Sequence, residues 1–247
     1  KYAVEEIRIL REIGFDLPIR TTVSNNAYHD LNLGPGFERL AFRGIVAIDY
    51  LERLLWRTRP YQKSAGAADQ LFTEYMAKIV SRVRKKEALD DVLRDAASEF
   101  RSLIDPDKPR RPLVGINGEI FLRSNKFSNN NLVRECEKAG LEVVVSPFEE
   151  WINYITHRHI EDGFRDRNLK RIVAGYIRKS IQKHDAHSVS INFKDLVNSN
   201  EPSIKELLDF SSRYLSPKCG SEAVLSIGSG VEWMENPEFA GAISVMP

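Results

Sequence analysis

Between Arg111 and Trp151 the chain reads RPLVGINGEIFLRSNKFSNNNLVRECEKAGLEVVVSPFEEW, and this stretch limits the fold more than any other. Pro112 to Asn117 is a short apolar run closed by Gly118, the pattern of a strand covered on both faces. A polar loop follows, and Ser128 or Asn129 is expected to start the next helix by accepting its first free N–H groups. Leu132, Val133, Cys136 and Ala139 place one apolar face on that helix. Gly140 stands where a left-handed residue would end it. Leu141 to Val145 is a second strand, stopped by Ser146-Pro147. Strand, helix and strand at this spacing form a βαβ unit, whose strands are parallel. The expected fold class is therefore α/β, with a parallel sheet flanked by helices. Ligands bind such sheets at the carboxyl ends of the strands. The expected site is thus the loop after the first strand, with Asn117, Gly118, Glu119, Arg123, Asn125, Asn129, Asn130 and Asn131.

The rest of the chain is mainly helical in pattern. Val4, Ile7, Ile9, Leu10 and Ile13 mark a helix ended by Gly14. Ile19 to Val23 is an expected strand, and Ser24 to Gly36 an expected loop. From Phe37 the residues Leu40, Ala41, Gly44, Ile45, Ile48, Leu51 and Leu55 share one helical face, ending at Arg59-Pro60. Two more helices carry Leu71 to Val83 and Leu89 to Phe100. Asp105 to Pro112 holds three prolines in eight residues and reads as a linker. It divides a mainly helical N-terminal part, residues 1–108, from an α/β part, residues 109–247. Beyond the βαβ unit, helices are expected around Trp151 to Ile155, over Leu169, Ile172, Val173, Tyr176, Ile177 and Ile181, and around Ile204 to Leu215. SEAVLSIGSGVEWME reads as a further helix, and Ala242 to Met246 as a third parallel strand.

Charge and composition exclude some roles. A net charge of +1 gives no electrostatic reason for a nucleic-acid or acidic-membrane partner. No apolar run approaches the roughly 18 residues of a membrane helix. KYAVEEIRILREIG lacks the layout of a secretory signal, and a cytoplasmic location is the expectation. The two cysteines, Cys136 and Cys219, are too few for a disulfide framework. The chain opens inside a helical pattern without an initiator Met and stops on ISVMP, so a piece of a larger protein is expected.

Several side chains carry candidate chemistry. Glu119 directly follows the first strand; it is a candidate acid, base or hydrogen-bond acceptor, or else a surface carboxylate paired with Arg123. The amides from Ser128 to Asn131 can cap a helix and also receive a phosphate or carboxylate. Asp49 stands near Arg43, Arg57, Arg59 and Tyr61, which could form a basic mouth for coenzyme phosphates or simply complement a helix C-terminus. His157 and His159 point to different sides of a helix, and His184 and His187 fall in a polar exposed segment, so no metal site is expected. The cations from Arg165 to Lys183 are interleaved with acids and lack aromatics, which describes a solvated face.

Three blocks together resemble a known family: GIVAIDYLERLLWRTRPYQ (Gly44 to Gln62), PLVGINGEIFLRSNKFSNNNLVRECEKAGLEV (Pro112 to Val143) with Glu150-Trp151, and SEAVLSIGS with the closing ISVMP. This combination resembles the 2-hydroxyacyl-CoA dehydratase family, and most of all its long fused members, the CoA-substrate-specific enzyme activases. The resemblance spans about Gly36 to Pro247. It implies Rossmann-like (flavodoxin-like) α/β domains, an iron–sulfur cluster in the parent protein, and an ATPase activator region or subunit that delivers a low-potential electron to an acyl-CoA or similar substrate. Neither the nucleotide-binding blocks of the activator nor an evident set of cluster cysteines is present, so no cofactor is evident in this fragment itself. The motif positions carried over are Glu119, Arg123, Asn125, Asn129 and Asn130, with Glu119 the candidate catalytic group. The alternative is a non-catalytic α/β module that binds a CoA-like ligand or a partner domain. A dimer is an assembly compatible with either.

Overall fold

The computed structural model describes residues 2–15, 36–197 and 202–246. The strand expected over Ile19 to Val23, and the Ser24 to Gly36 loop up to its last residue, lie outside the described residues. Two units are distinguished, Lys1–Ala41 and Phe42–Pro247. The smaller contains α1 (Tyr2–Glu12), with Arg8 and Glu12 paired one turn apart. Gly14 follows with φ of 93°, as a helix-ending glycine should.

In the larger unit, α2 (Phe37–Thr58, from Phe42 onward), α3 (Ala67–Lys85) and α4 (Asp90–Leu103) build the main core. Val46, Ala47, Leu51, Leu54, Ile79, Leu93 and Phe100 are fully buried there. Val189, Phe193 and Val197, from beyond the proline-rich segment, complete the same core. Tyr50 and Phe193 stack with ring centroids 5.4 Å apart. The fully buried apolar positions of α2 are Val46, Ala47, Leu51 and Leu54. Ile45 and Ile48, on the face expected from periodicity, are only half-buried.

The sheet has three parallel strands, β1 (Leu113–Gly118), β2 (Glu142–Val145) and β3 (Phe239–Val245), in the order β2-β1-β3. Leu113 lies opposite Glu142 and Ile116 opposite Val145; on the other side Gly118 lies opposite Val245. Apolar Val114 and Ile116 suit the central position of β1, and β3 alternates half-buried and exposed residues, as an edge strand can. A side chain at Gly115 would begin 2.1 Å from the Trp233 ring, so its absence lets the helix carrying Trp233 close on the sheet. That helix is α10 (Glu222–Glu235).

The connection from β1 to β2 departs from expectation. It opens at once with a short helix, α5 (Ile120–Ser124), and the main crossover helix α6 (Leu132–Lys138) starts later than Ser128 or Asn129. Asn130 and Asn131 both adopt left-handed φ, 53° and 55°, which no helix can pass through. Asn129 still serves the helix start, its Oδ1 accepting the Leu132 N–H at 3.2 Å. Cys136 is buried with Ile116, Val143 and Val145. After β2 come α7 (Phe148–Arg165), α8 (Leu169–Ser190) and α9 (Ile204–Ser211). A Ser203–Glu206 capping box starts α9. Tyr154, Leu207, Leu208, Val224 and Leu225 form a separate small core. The molecule is thus mostly helical around a small parallel sheet.

Candidate functional site

A cavity of about 440 Å³ opens at the carboxyl ends of β1 and β2. The loop after β1 contributes Arg123, Lys126 and Asn129, and the loop after β2 contributes Ser146 and Pro147. The opposite wall is α2, with Asp49, Glu52, Arg53 and Trp56. Its volume falls within the range of small-molecule sites.

Asp49, Glu52, Arg53 and Trp56 recur at three- and four-residue steps, which brings them onto one side of α2. Asp49 is buried and holds the start of α7: its Oδ1 accepts the Phe148 N–H at 3.2 Å and its Oδ2 the Glu149 N–H at 2.8 Å. A carboxylate at a helix N-terminus satisfies free donors and complements the helix dipole. Asp49 is thereby a cap reached from 99 residues away in sequence. Glu52, one turn later, is the unusual group. Burial and the neighbouring Asp49 charge push its carboxyl up to about 7, against a smaller opposing pull from Lys126. Such a group changes protonation near neutrality.

Arg123 is 5% exposed and sits between the two loops. Its Nη1 donates to the Gly118 carbonyl and its Nη2 to the Pro147 carbonyl, each at 3.2 Å. Burial lowers its pKa, while Glu150 and Asp49 favour the charged form. Its Nε is buried without a hydrogen-bond partner among the described residues, and so is the Ser146 Oγ. Unpaired buried donors lining a cavity are what a bound polar group would satisfy.

The other positions expected at the site are distributed differently. Glu119 does not pair with Arg123; its Oε2 accepts the Leu122 N–H at 2.7 Å and caps α5. It lines a separate, more open depression with Phe121, Phe148 and Trp151. Asn125 closes its own turn, Oδ1 accepting the Phe127 and Ser128 N–H groups. Asn129 lines the cavity, and its Nδ2 donates to the Leu122 and Arg123 carbonyls at 2.9 and 3.0 Å. Asn130 is exposed in a left-handed turn. Of the eight positions expected after β1 the structure therefore brings Arg123, Asn129 and Asn131 to the cavity, and it adds Glu52, Lys126 and Ser146.

The expected basic mouth near Asp49 is largely neutralised. Arg57 pairs with the buried Glu142, which also accepts the Tyr61 hydroxyl at 2.6 Å. Arg59 grips Glu137 through Nε and Nη2, at 2.7 and 2.6 Å, and reaches Asp69 at 3.1 Å. These pairs lock the end of α2 to α6 and β2. Cys136 is buried and Cys219 exposed, and the described residues contain no group of three or more His, Cys, Asp or Glu placed to hold a metal. The iron–sulfur cluster implied by the family resemblance has no donor set among them. No described helix is long and apolar enough to cross a membrane.

Comparison with protein-family models, with curated proteins and with solved structures gives no match. No family is shown.

Proposed function

We propose that the cavity holds an acyl-CoA-like ligand, with its carbonyl or carboxylate group between Glu52, Lys126 and the Arg123 Nε. The reading rests on one observation: a half-buried carboxyl, pushed up to about 7 by desolvation and by Asp49, lines a cavity at the carboxyl ends of parallel strands. Protonated, Glu52 can donate a hydrogen bond to a carbonyl oxygen; ionised, it can take a proton from a bound group. Lys126 and Arg123 supply positive charge to an anionic ligand. The floor of Ile45, Ile48 and Val133 suits an acyl chain. The strand order is the one with which a doubly wound sheet can begin. In this proposal the chain is part of a cytoplasmic dehydratase or activase of the 2-hydroxyacyl-CoA type, with a Rossmann-like sheet. The cluster and the ATPase activator region or subunit would be supplied by the parent protein or its partner.

Calorimetry with coenzyme A and a short-chain acyl-CoA tests this. Saturable binding is expected, weakened about tenfold by Lys126→Ala. Its dependence on pH near 7 should disappear in Glu52→Gln. Flat heats with both ligands would overturn the proposal. A narrower reading, a non-catalytic module for a CoA-like ligand or partner domain, is favoured by Glu119 serving as a helix cap. Exchange of the acyl α-hydrogen in deuterated buffer separates the two: exchange lost in Glu52→Gln supports acid–base chemistry, and binding without exchange supports the module.

A further inference from the structure

Helix α8 carries two opposite faces, and only one is covered. Gly175, Asp185 and Val189 are buried, and Gly175 lies against Ile160 of α7. At about 100° per residue, Leu169, Val173, Tyr176 and Ile177 fall on the far side of the helix, with Ile181 at the margin of that face. They are exposed: Leu169 by 72%, Val173 by 50%, Tyr176 by 52%, Ile177 by 56% and Ile181 by 42%. A contiguous apolar stripe opposite the packed face is not ordinary surface composition. It runs over about 18 Å, the length of three to four helical turns.

The exposed charges of α8 beside the stripe have one sign. Lys170, Lys179 and Lys183 are exposed along it. The sole acid of α8, Asp185, is 1% exposed and faces the core. Arg171 is already committed to Asp162 and Asp166, at 2.9 and 3.0 Å. We propose that this face docks an acidic amphipathic helix of a partner protein, laid along α8 with its apolar side on Leu169, Val173 and Ile177 and its carboxylates beside Lys170, Lys179 and Lys183. Charge selects this occupant over a second copy of the chain. A second copy of α8 would set lysines against lysines. A tyrosine within an aliphatic stripe also fits a protein interface. This inference is independent of what the cavity binds.

The test uses the whole chain and two designed amphipathic peptides of about 18 residues with the same leucine face, one rimmed with glutamate and one with lysine. Fluorescence anisotropy should show the acidic peptide binding at least tenfold more tightly than its basic twin. Ile177→Glu, which alters an exposed side chain, should weaken it at least tenfold while the circular dichroism spectrum stays unchanged. Lys179→Glu with Lys183→Glu should weaken it further than raised salt alone. Equal binding of both peptides, or of neither, would overturn the proposal. So would dimerisation in sedimentation that Ile177→Glu abolishes, or co-sedimentation with phosphatidylserine vesicles while the acidic peptide stays free.

Discussion

Helices α2 and α8 are equally long, 22 residues each, and both carry apolar residues at helical spacing. Along α2, Val46, Leu51 and Leu54 are completely buried; along α8, Leu169, Val173 and Ile177 are at least half exposed. The difference lies in what each helix meets. α2 is covered by α3, α4 and the segment from Val189 to Val197. α8 meets α7 and the end of the main core through the opposite face, built partly from a glycine. An apolar stripe therefore states that a face wants cover, and says nothing about which chain supplies it.

The comparison can be broken first at the buried helix. Leu54→Ala should cost about 2–5 kcal/mol in chemical denaturation, because a fully buried methyl cluster leaves a void. A cost below 1 kcal/mol would show that α2 is no better covered than α8. Glu52, on the cavity side of the same helix, sharpens the contrast through pH. Its folded pKa near 7 lies above the ordinary carboxyl value, so between about 4.5 and 7 the folded chain keeps a proton that the unfolded chain has lost. Stability is then full below about 4.5, falls as pH rises through this window, and stays low above 7. Glu52→Gln should remove that fall, which amounts to roughly 2–3 kcal/mol; denaturation at pH 5 and pH 8 measures it, and parallel profiles for both proteins would refute the assignment. Asp49→Ala should cost about 1–2 kcal/mol through loss of the α7 cap. It should also move the Glu52 midpoint downward, since Asp49 helps raise it. The smallest effect belongs to the exposed helix: Ile177→Ser should change stability by less than about 0.5 kcal/mol. A larger loss would mean that the stripe is packed in solution.

Much of the sheet was legible because its signals are local. The apolar runs of β1 and β2, Gly140 at the end of α6 and the ISV run of β3 each lie within a few residues of what they specify. The site was less legible. Arg123 and Asn129 were placed at the cavity from their position after β1, whereas Glu119, read as a candidate acid or base or as a surface carboxylate paired with Arg123, caps α5. Glutamate is not a preferred capping residue, so its role depends on the backbone turning into α5 at once. Glu52 left no sign at all. Its burial arises because the loops after β1 and β2 arrive from about 70 and 95 residues further on, and a helical glutamate reads as solvated until they do. The Asn130-Asn131 pair did carry a usable signal, since asparagine tolerates left-handed backbone, yet the capping ability of Ser128 and Asn129 drew the helix start too early.

Arg123 has one more consequence. Because Arg123 belongs to the loop after β1, one guanidinium both braces its own turn at Gly118 and ties that loop to the next one at Pro147. A lysine there would keep the charge but fasten only one side, leaving the entrance ajar.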